Sequence, residues 1–119
     1  MTIDATFEAT VRGWIADDPD ETTVARASEL LDAALAGDSF AEQELRTCFG
    51  GFLQFGTAGL RGPLGPGPSC MNRAVVIRAA AGLVAYLKAH NATRIVVGYD
   101  ARHRSVDFAL DTVGIAAAA

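Results

Sequence analysis

The 119-residue sequence has few of the features that mark membrane, secreted or nucleic-acid-binding proteins. Its apolar runs all fall short of the roughly 20 residues needed to cross a bilayer. Residues 1–8 contain neither a basic patch nor an apolar stretch, so no signal peptide is expected. The positive charges are scattered and few aromatic residues lie between them, which disfavours a nucleic-acid surface. We therefore expect a protein that binds neither membranes nor nucleic acids.

Several chemical motifs are also missing. The sequence has no Gly-Lys-Ser/Thr of a Walker A site and no G-x-G-x-x-G dinucleotide fingerprint. The only cysteines, Cys48 and Cys70, fit no metal spacing and are expected to be free thiols in a reducing cytoplasm. Asp17, Asp18 and Asp20 lack the regular spacing and distal Glu of an EF-hand, which favours a polar turn over metal ligands.

The charge that is present is unevenly distributed. Half of the residues are hydrophobic and the net charge is −4, which is typical of a globular chain with one core. Residues 1–48 hold eleven Asp and Glu against three Arg, or −8, whereas residues 49–119 hold seven Lys and Arg against three Asp, or +4. We interpret residues 1–48 as an acidic helical cap, and we expect an anionic ligand to be attracted to residues 49–119.

The acidic segment predicts three helices. Residues at helical spacing give the first one an apolar face, formed by Phe7, Val11, Trp14 and Ile15. Thr22 or Thr23 is expected to cap the second helix, and Gly37 to end it. Ser39 and Glu42 have the spacing of a capping box at the start of the third.

The second half predicts an α/β fold. Residues 52–55 indicate a strand, and the Pro- and Gly-rich residues 63–68 indicate an irregular segment that we expect to be mobile. Asn72 is expected to cap a long helix. The β-branched residues 94–100 predict a buried strand, and Ser105 is placed to cap a final helix. Strand, helix, strand, helix in this βαβα order indicates an incomplete mixed or parallel sheet.

The most informative motif is FGTAGLRG at residues 55–62, directly after the first predicted strand. Its three glycines allow a positive φ and a close approach of the backbone to a ligand. Successive amide N–H groups form concave anion sites, and the planar guanidinium of Arg61 is suited to phosphate. We therefore predict a loop that holds a phosphorylated small molecule, with the glycine backbone and Arg61 as its anion-binding groups.

A second anion-binding surface is predicted at DARHRS, residues 100–105. This segment follows the carboxyl end of the second predicted strand, where ligands of open α/β sheets bind. The following helix N-terminus also carries a partial positive charge. Arg102 is the candidate ligand-binding residue here, although an exposed surface arginine is an equally good interpretation.

The ordered set of motifs resembles the first domain of the α-D-phosphohexomutases. The set comprises residues 55–62, then Met71 and Asn72, then residues 97–105, and the resemblance covers nearly the whole chain. It implies that residues 49–119 are the first part of a phosphohexomutase domain I, and that the chain is a single incomplete domain overall. The family includes phosphomannomutases and phosphoglucomutases.

The resemblance implies a phosphotransfer mechanism for the complete protein. A phosphoserine donates its phosphoryl group to a hexose phosphate, and the hexose bisphosphate reorients and returns the other phosphoryl group; Mg²⁺ assists at the phosphoserine. By this analogy Thr57, Gly59 and Arg61 contact the phosphosugar or the phosphoserine region. Arg102 helps to frame the phosphoserine neighbourhood.

Four segments of the family pattern are not found in this sequence. They are the TASHNP-type phosphoserine segment, the DGDxDR metal loop, the sugar-selecting GExSG loop and the distal phosphate-binding loop. We therefore expect an amino-terminal fragment that has no catalytic residue, binds no metal by itself and is inactive alone. Two alternatives are a non-catalytic phosphate-binding module and an α/β module that associates with itself through an unfinished sheet edge.

Overall fold

The computed structural model describes residues 3–119, which divide into two compact units between Asn72 and Arg73. The first unit contains the helices α1 (Ala5–Asp17), α2 (Glu21–Leu35) and α3 (Ser39–Phe49), then the strands β1 (Phe55–Gly56) and β2 (Gly59–Leu60). The second unit contains α4 (Arg73–Ala89) and α5 (Ser105–Ala118). In the part of the chain thus described, no helix is both long and apolar enough to reach across a bilayer.

Aspartates begin all three helices of the first unit. Asp4, Asp20 and Asp38 each accept a backbone N–H of the following first turn, at 2.8 to 3.0 Å. Each bond satisfies a donor that has no partner within the helix itself. The negative charge also complements the positive end of the helix dipole. The many acidic residues of this segment therefore help to set where its helices start.

The predicted N-caps of α2 and α3 were wrong by one to three residues. Thr22 and Thr23 lie inside α2, and Ser39 is the first residue of α3. An ionised carboxylate accepts a hydrogen bond more strongly than a hydroxyl does, which favours the preceding aspartates as caps. Glu42, predicted as part of a capping box, is buried and forms an ion pair with Arg46 at 3.1 Å.

The core of the first unit is formed by apolar faces of its three helices. The face predicted for α1 is confirmed at Val11 and Trp14, which are 0% and 6% exposed. The indole of Trp14 meets the ring of Phe49 edge to face, with ring centroids 5.5 Å apart, which is a favourable aromatic geometry. Gly37 follows α2 with φ +101°, so the predicted glycine stop is confirmed.

The second unit is a pair of packed helices. Small and β-branched side chains of α4 are buried: Ala74, Val76, Ala80 and Val84. At the first residue of α4, the Arg73 guanidinium binds both carboxylate oxygens of Asp111 on α5, each at 2.9 Å. A bidentate pair of this kind fixes orientation as well as adding energy, so it sets the register of α4 against α5.

The sheet differs from the predicted one. Among the described residues the sheet consists of β1 and β2, which pair antiparallel with Phe55 opposite Leu60 and Gly56 opposite Gly59. Residues 94–100, predicted as a buried strand, have no regular secondary structure, and Val96 is 95% exposed. A strand needs a neighbour for its hydrogen bonds, and residues 73–119 as described contain none. The predicted βαβα order is therefore not confirmed.

Candidate functional site

The glycine motif folds as a tight β-hairpin. Strands β1 and β2 are joined by the two turn residues Thr57 and Ala58, and both of these residues are exposed. Gly59, the first residue after the turn, has φ +89°, a conformation that L side chains rarely adopt. The predicted glycine loop therefore exists as a projecting hairpin tip with an accessible backbone, and Thr57 presents its hydroxyl at that tip.

The guanidinium of Arg61 is available at the end of this hairpin. Arg61 is exposed and directly follows β2. Within residues 3–119 it forms neither a hydrogen bond nor an ion pair, whereas Arg46 and Arg73 are both held in ion pairs. An arginine that has no carboxylate partner retains all five of its N–H donors for an incoming anion. The hairpin thus combines an exposed backbone turn with one available planar cation.

The base of the hairpin is fixed to the segment that follows it. The amide of Leu53 donates to the carbonyl of Pro68 at 3.0 Å, and the amide of Met71 donates to that of Pro63 at 2.8 Å. A Cβ on Gly62 would lie 2.7 Å from a methyl of Leu53, so a larger residue there would displace the Leu53 side chain. The hairpin tip is exposed, but its two ends are held in place.

Residues 63–68 are held rather than loose, contrary to the expectation of a mobile segment. Pro66, Gly67 and Pro68 are buried. A Cβ on Gly67 would lie 2.4 Å from the carbonyl oxygen of Cys48, and Gly67 has φ +90°. Glycine is therefore required here by the close approach and by the backbone conformation, and the segment packs directly on the end of α3.

Asn72 has a role that the sequence did not reveal. It is 2% exposed, and its Nδ2 donates to the carbonyls of Gly65 and Gly67 at 2.8 Å and of Cys70 at 3.3 Å. These carbonyls belong to an irregular segment and need partners when buried. Predicted only as a helix cap, Asn72 positions the segment behind the hairpin. The signal in the sequence that could have indicated this role is an asparagine four residues after the end of a Pro- and Gly-rich stretch.

Ser69 also has a structural role. Its Oγ donates to the carbonyl of Gly51 at 2.7 Å and accepts the amide of Gly51 at 3.1 Å, while its own amide donates to the carbonyl of Cys48 at 3.1 Å. Because the hydroxyl uses both its proton and a lone pair in these bonds, it connects the segment of Ser69 to that of Gly51. Ser69 therefore ties the hairpin base to α3.

Arg102 lies in the second unit, in the turn before α5. Its Nε binds Asp100 Oδ2 at 2.8 Å, and its backbone N–H donates to Asp100 Oδ1 at 3.0 Å. That backbone bond, followed by the bonds from the Arg102 side chain and the Ser105 hydroxyl, holds the pKa of the Asp100 carboxyl below its usual value. The Arg102 side chain remains 82% exposed, so it is accessible although it already has a carboxylate partner.

The predicted cap at Ser105 was wrong, because Ser105 is the first residue of α5. Arg104 occupies the capping position with φ +69° and no side-chain capping bond. The Ser105 hydroxyl is instead turned back to accept the amide of Asp100, at 3.2 Å. Arg104 forms an ion pair with Asp107 at 2.9 Å. The Asp100–Ser105 turn is thus organised by its own side chains.

The candidate residues divide between the two units. Thr57, Gly59 and Arg61 lie together on the hairpin of the first unit, and Arg102 lies in the second. Across residues 3–119, no group of three or more His, Cys, Asp or Glu side chains is arranged to hold a metal ion. We assign no chemical step to a metal.

A comparison with known protein families defines the class of this chain. Residues 53–119 match a family model for a domain of the α/β class, and the matched region starts at the base of the hairpin. The model is described as phosphoglucomutase/phosphomannomutase, alpha/beta/alpha domain I, and the chain belongs to this family. The suspected phosphohexomutase resemblance is thereby confirmed.

Individual relatives agree with the family. The chain is 35% identical over 106 residues to a phosphopentomutase of Mus musculus and 33% identical over 103 residues to a phosphopentomutase of Homo sapiens. It is 36% identical over 100 residues to a phosphoglucomutase of Staphylococcus aureus strain USA300. These matches cover 83% to 86% of the chain but only 16% to 18% of each relative. No solved structure gives a significant match.

Proposed function

We propose that this chain supplies phosphate contacts to a phosphohexomutase that interconverts hexose 1- and 6-phosphates through a phosphoserine. The observation that carries the proposal is the exposed guanidinium of Arg61, which has no partner among the described residues and directly follows the hairpin tip. The family supports the reaction class, because the similar proteins bear the names phosphopentomutase and phosphoglucomutase. Those relatives are several times longer than this chain.

The hairpin suits a phosphoryl group for electrostatic reasons. Charge in a phosphoryl transfer is spread over the phosphoryl oxygens and is stabilised mainly by positioned cations and N–H donors. Arg61 offers a planar pair of donors, Thr57 offers a hydroxyl, and Gly59 leaves the backbone open to approach. In this proposal Arg61 binds the phosphate of the sugar or of the phosphoserine, and Arg102 contributes to the phosphoserine neighbourhood.

The rest of the reaction requires groups from elsewhere. The sequence contains no TASHNP-type segment to carry the phosphoserine, so this chain has no nucleophile for the proposed mechanism. We propose that the Mg²⁺ and the sugar-selecting loop also belong to other parts of the complete protein. In the complete domain, residues 94–100 would gain a neighbouring strand and form the parallel, βαβα-ordered sheet. The exposed apolar side chains of Val96 and Tyr99 support that pairing.

The binding part of the proposal is tested by calorimetric titration of the 119-residue chain with glucose 1,6-bisphosphate. We expect binding that Arg61→Ala weakens at least about tenfold, because hydrogen bonds to charged groups are worth about 1.5–3 kcal/mol. Arg78→Ala is the matched control, since Arg78 is an exposed arginine on α4 and its loss changes the net charge equally. Equal weakening by both substitutions would reduce the effect to net charge and contradict the proposed site.

The catalytic part is tested separately by a coupled assay on the same chain. We expect no turnover of glucose 1-phosphate, mannose 1-phosphate or ribose 1-phosphate, because the chain has no phosphoserine segment. The pentose phosphate is included because two of the relatives are phosphopentomutases. Turnover by the purified chain would contradict the assignment of the nucleophile to another part of the protein.

A second candidate function is that of a non-catalytic module, which either binds phosphate or associates with a second copy of itself. Self-association is favoured by exposed apolar side chains on the second unit, among them Val96, Tyr99 and Leu110. Sedimentation distinguishes self-association, since a monomer at high concentration would argue against it. A cytoplasmic location and the absence of nucleic-acid and membrane partners are proposals that depend on composition alone.

A further inference from the structure

Two buried thiols lie side by side in the first unit. Cys48 is in the last turn of α3, and Cys70 is in the irregular segment that ends the first unit. They are 6% and 4% exposed. The Sγ of Cys70 donates to the Sγ of Cys48 across 3.9 Å. Neither thiol is used by the proposed phosphate site.

Backbone contacts hold the two cysteines together. The amide of Ser69 donates to the carbonyl of Cys48 at 3.1 Å, and the amide of Cys70 donates to the carbonyl of Gly67 at 3.3 Å. Gly67 itself lies so close to Cys48 that a Cβ would be 2.4 Å from its carbonyl oxygen. These contacts keep the two sulfur atoms next to each other in the folded chain.

We propose that Cys48 and Cys70 are a site of reversible disulfide formation, with a low-molecular-weight disulfide such as glutathione disulfide as the oxidant. The bond would close a ring that runs from the end of α3 through the hairpin and back to Cys70. It would covalently fix the segment that supports the hairpin base. The inference concerns the first unit alone and does not depend on the proposed mutase function.

The two thiols react slowly with disulfides while they are buried. Burial raises the pKa of Cys48 to about 12, and the neighbouring Cys70 thiol raises it further in the same sense. Burial also raises the pKa of Cys70. Because the thiolate is the nucleophile, reaction requires local opening. In this proposal Cys70 is the attacking thiol, since it lies outside regular secondary structure whereas Cys48 lies in a helix.

Oxidation of the two cysteines requires one small disulfide and no other reactant. The Cys70 thiolate attacks one sulfur of the oxidant disulfide, forms a mixed disulfide and expels one small thiol, which takes up the proton lost by Cys70. The Cys48 thiolate then attacks Cys70 Sγ and expels the second small thiol, which takes up the proton lost by Cys48. One disulfide is consumed, two small thiols are released, and the protein loses two hydrogen atoms.

The test compares the native chain with the same chain unfolded in urea, each equilibrated with reduced and oxidised glutathione. Free thiols are then alkylated under denaturing conditions and the products are identified by peptide mapping. We expect a Cys48–Cys70 linked peptide that dithiothreitol removes. We also expect the effective concentration of the pair to be at least about tenfold higher in the native chain than in the unfolded one.

Two results would overturn the proposal. In the first, the effective concentration is equal or lower in the native chain, which means that the fold does not favour the bond. In the second, the native chain gives only mixed disulfides with glutathione. Cys48→Ser and Cys70→Ser are the controls, and each is expected to give no intramolecular product. The wild-type comparison remains decisive even if a serine variant fails to fold.

Discussion

At the scale of single residues, the hairpin depends on groups that lie behind it. Asn72 binds three carbonyls of the supporting segment with one buried amide, and Ser69 joins the same segment to Gly51. These contacts explain why residues 63–68 are ordered although proline and glycine make regular structure impossible there. The hairpin is thus held in place by hydrogen bonds within an irregular stretch of backbone.

Asn72→Ala should destabilise the first unit by about 1–3 kcal/mol, because it removes the buried donor that the carbonyls of Gly65, Gly67 and Cys70 share. Asn72→Asp should be at least as damaging, since it preserves the shape of the side chain but turns a carboxylate towards the same carbonyls. Urea unfolding measures both effects. Gln43→Ala, which removes an exposed amide from α3, is the control and should change stability little. An Asn72 variant as stable as that control would contradict the supporting role.

At the scale of elements, helices were better predicted than strands. Periodicity located α1 through its buried face at Val11 and Trp14, and Gly37 ended α2. The caps were misplaced because several adjacent polar residues could serve, and sequence spacing does not show which oxygen reaches the free amide. Residues 94–100 have strand-forming side chains, but a strand also needs a neighbour, which local sequence cannot supply.

The conformation of the hairpin depends on the positive φ of Gly59. Gly59→Ala should loosen β1 and β2, because a Cβ at φ +89° costs about 1–2 kcal/mol even though nothing lies within 4 Å of it. Gly56→Ala is the matched control on the opposite strand, where the nearest atom is 4.0 Å away and no positive φ is required. Amide hydrogen exchange in residues 55–60 reports the difference. Equal exchange in the two variants would contradict the need for glycine at position 59.

At the scale of the whole molecule, two patterns in the sequence were informative: the order of the motifs and the arrangement of residues within the acidic segment. The order of residues 55–62, 71–72 and 97–105 indicated the family, which the match over residues 53–119 confirms. The apolar spacing and capping patterns within residues 1–48 indicated three helices, and the described part of this segment contains α1, α2 and α3. The proximity of Cys48 to Cys70 could not be predicted, because it depends on which segments of the chain pack together in the fold.

The most direct measurement of the proposed binding site is amide chemical-shift mapping of the whole chain during titration with glucose 1,6-bisphosphate. We expect the largest saturable shifts at residues 56–61, and their loss in Arg61→Ala but not in Arg78→Ala. Shifts that are spread over the basic residues without saturation, or that leave residues 56–61 unchanged, would contradict the claim that this hairpin binds phosphate.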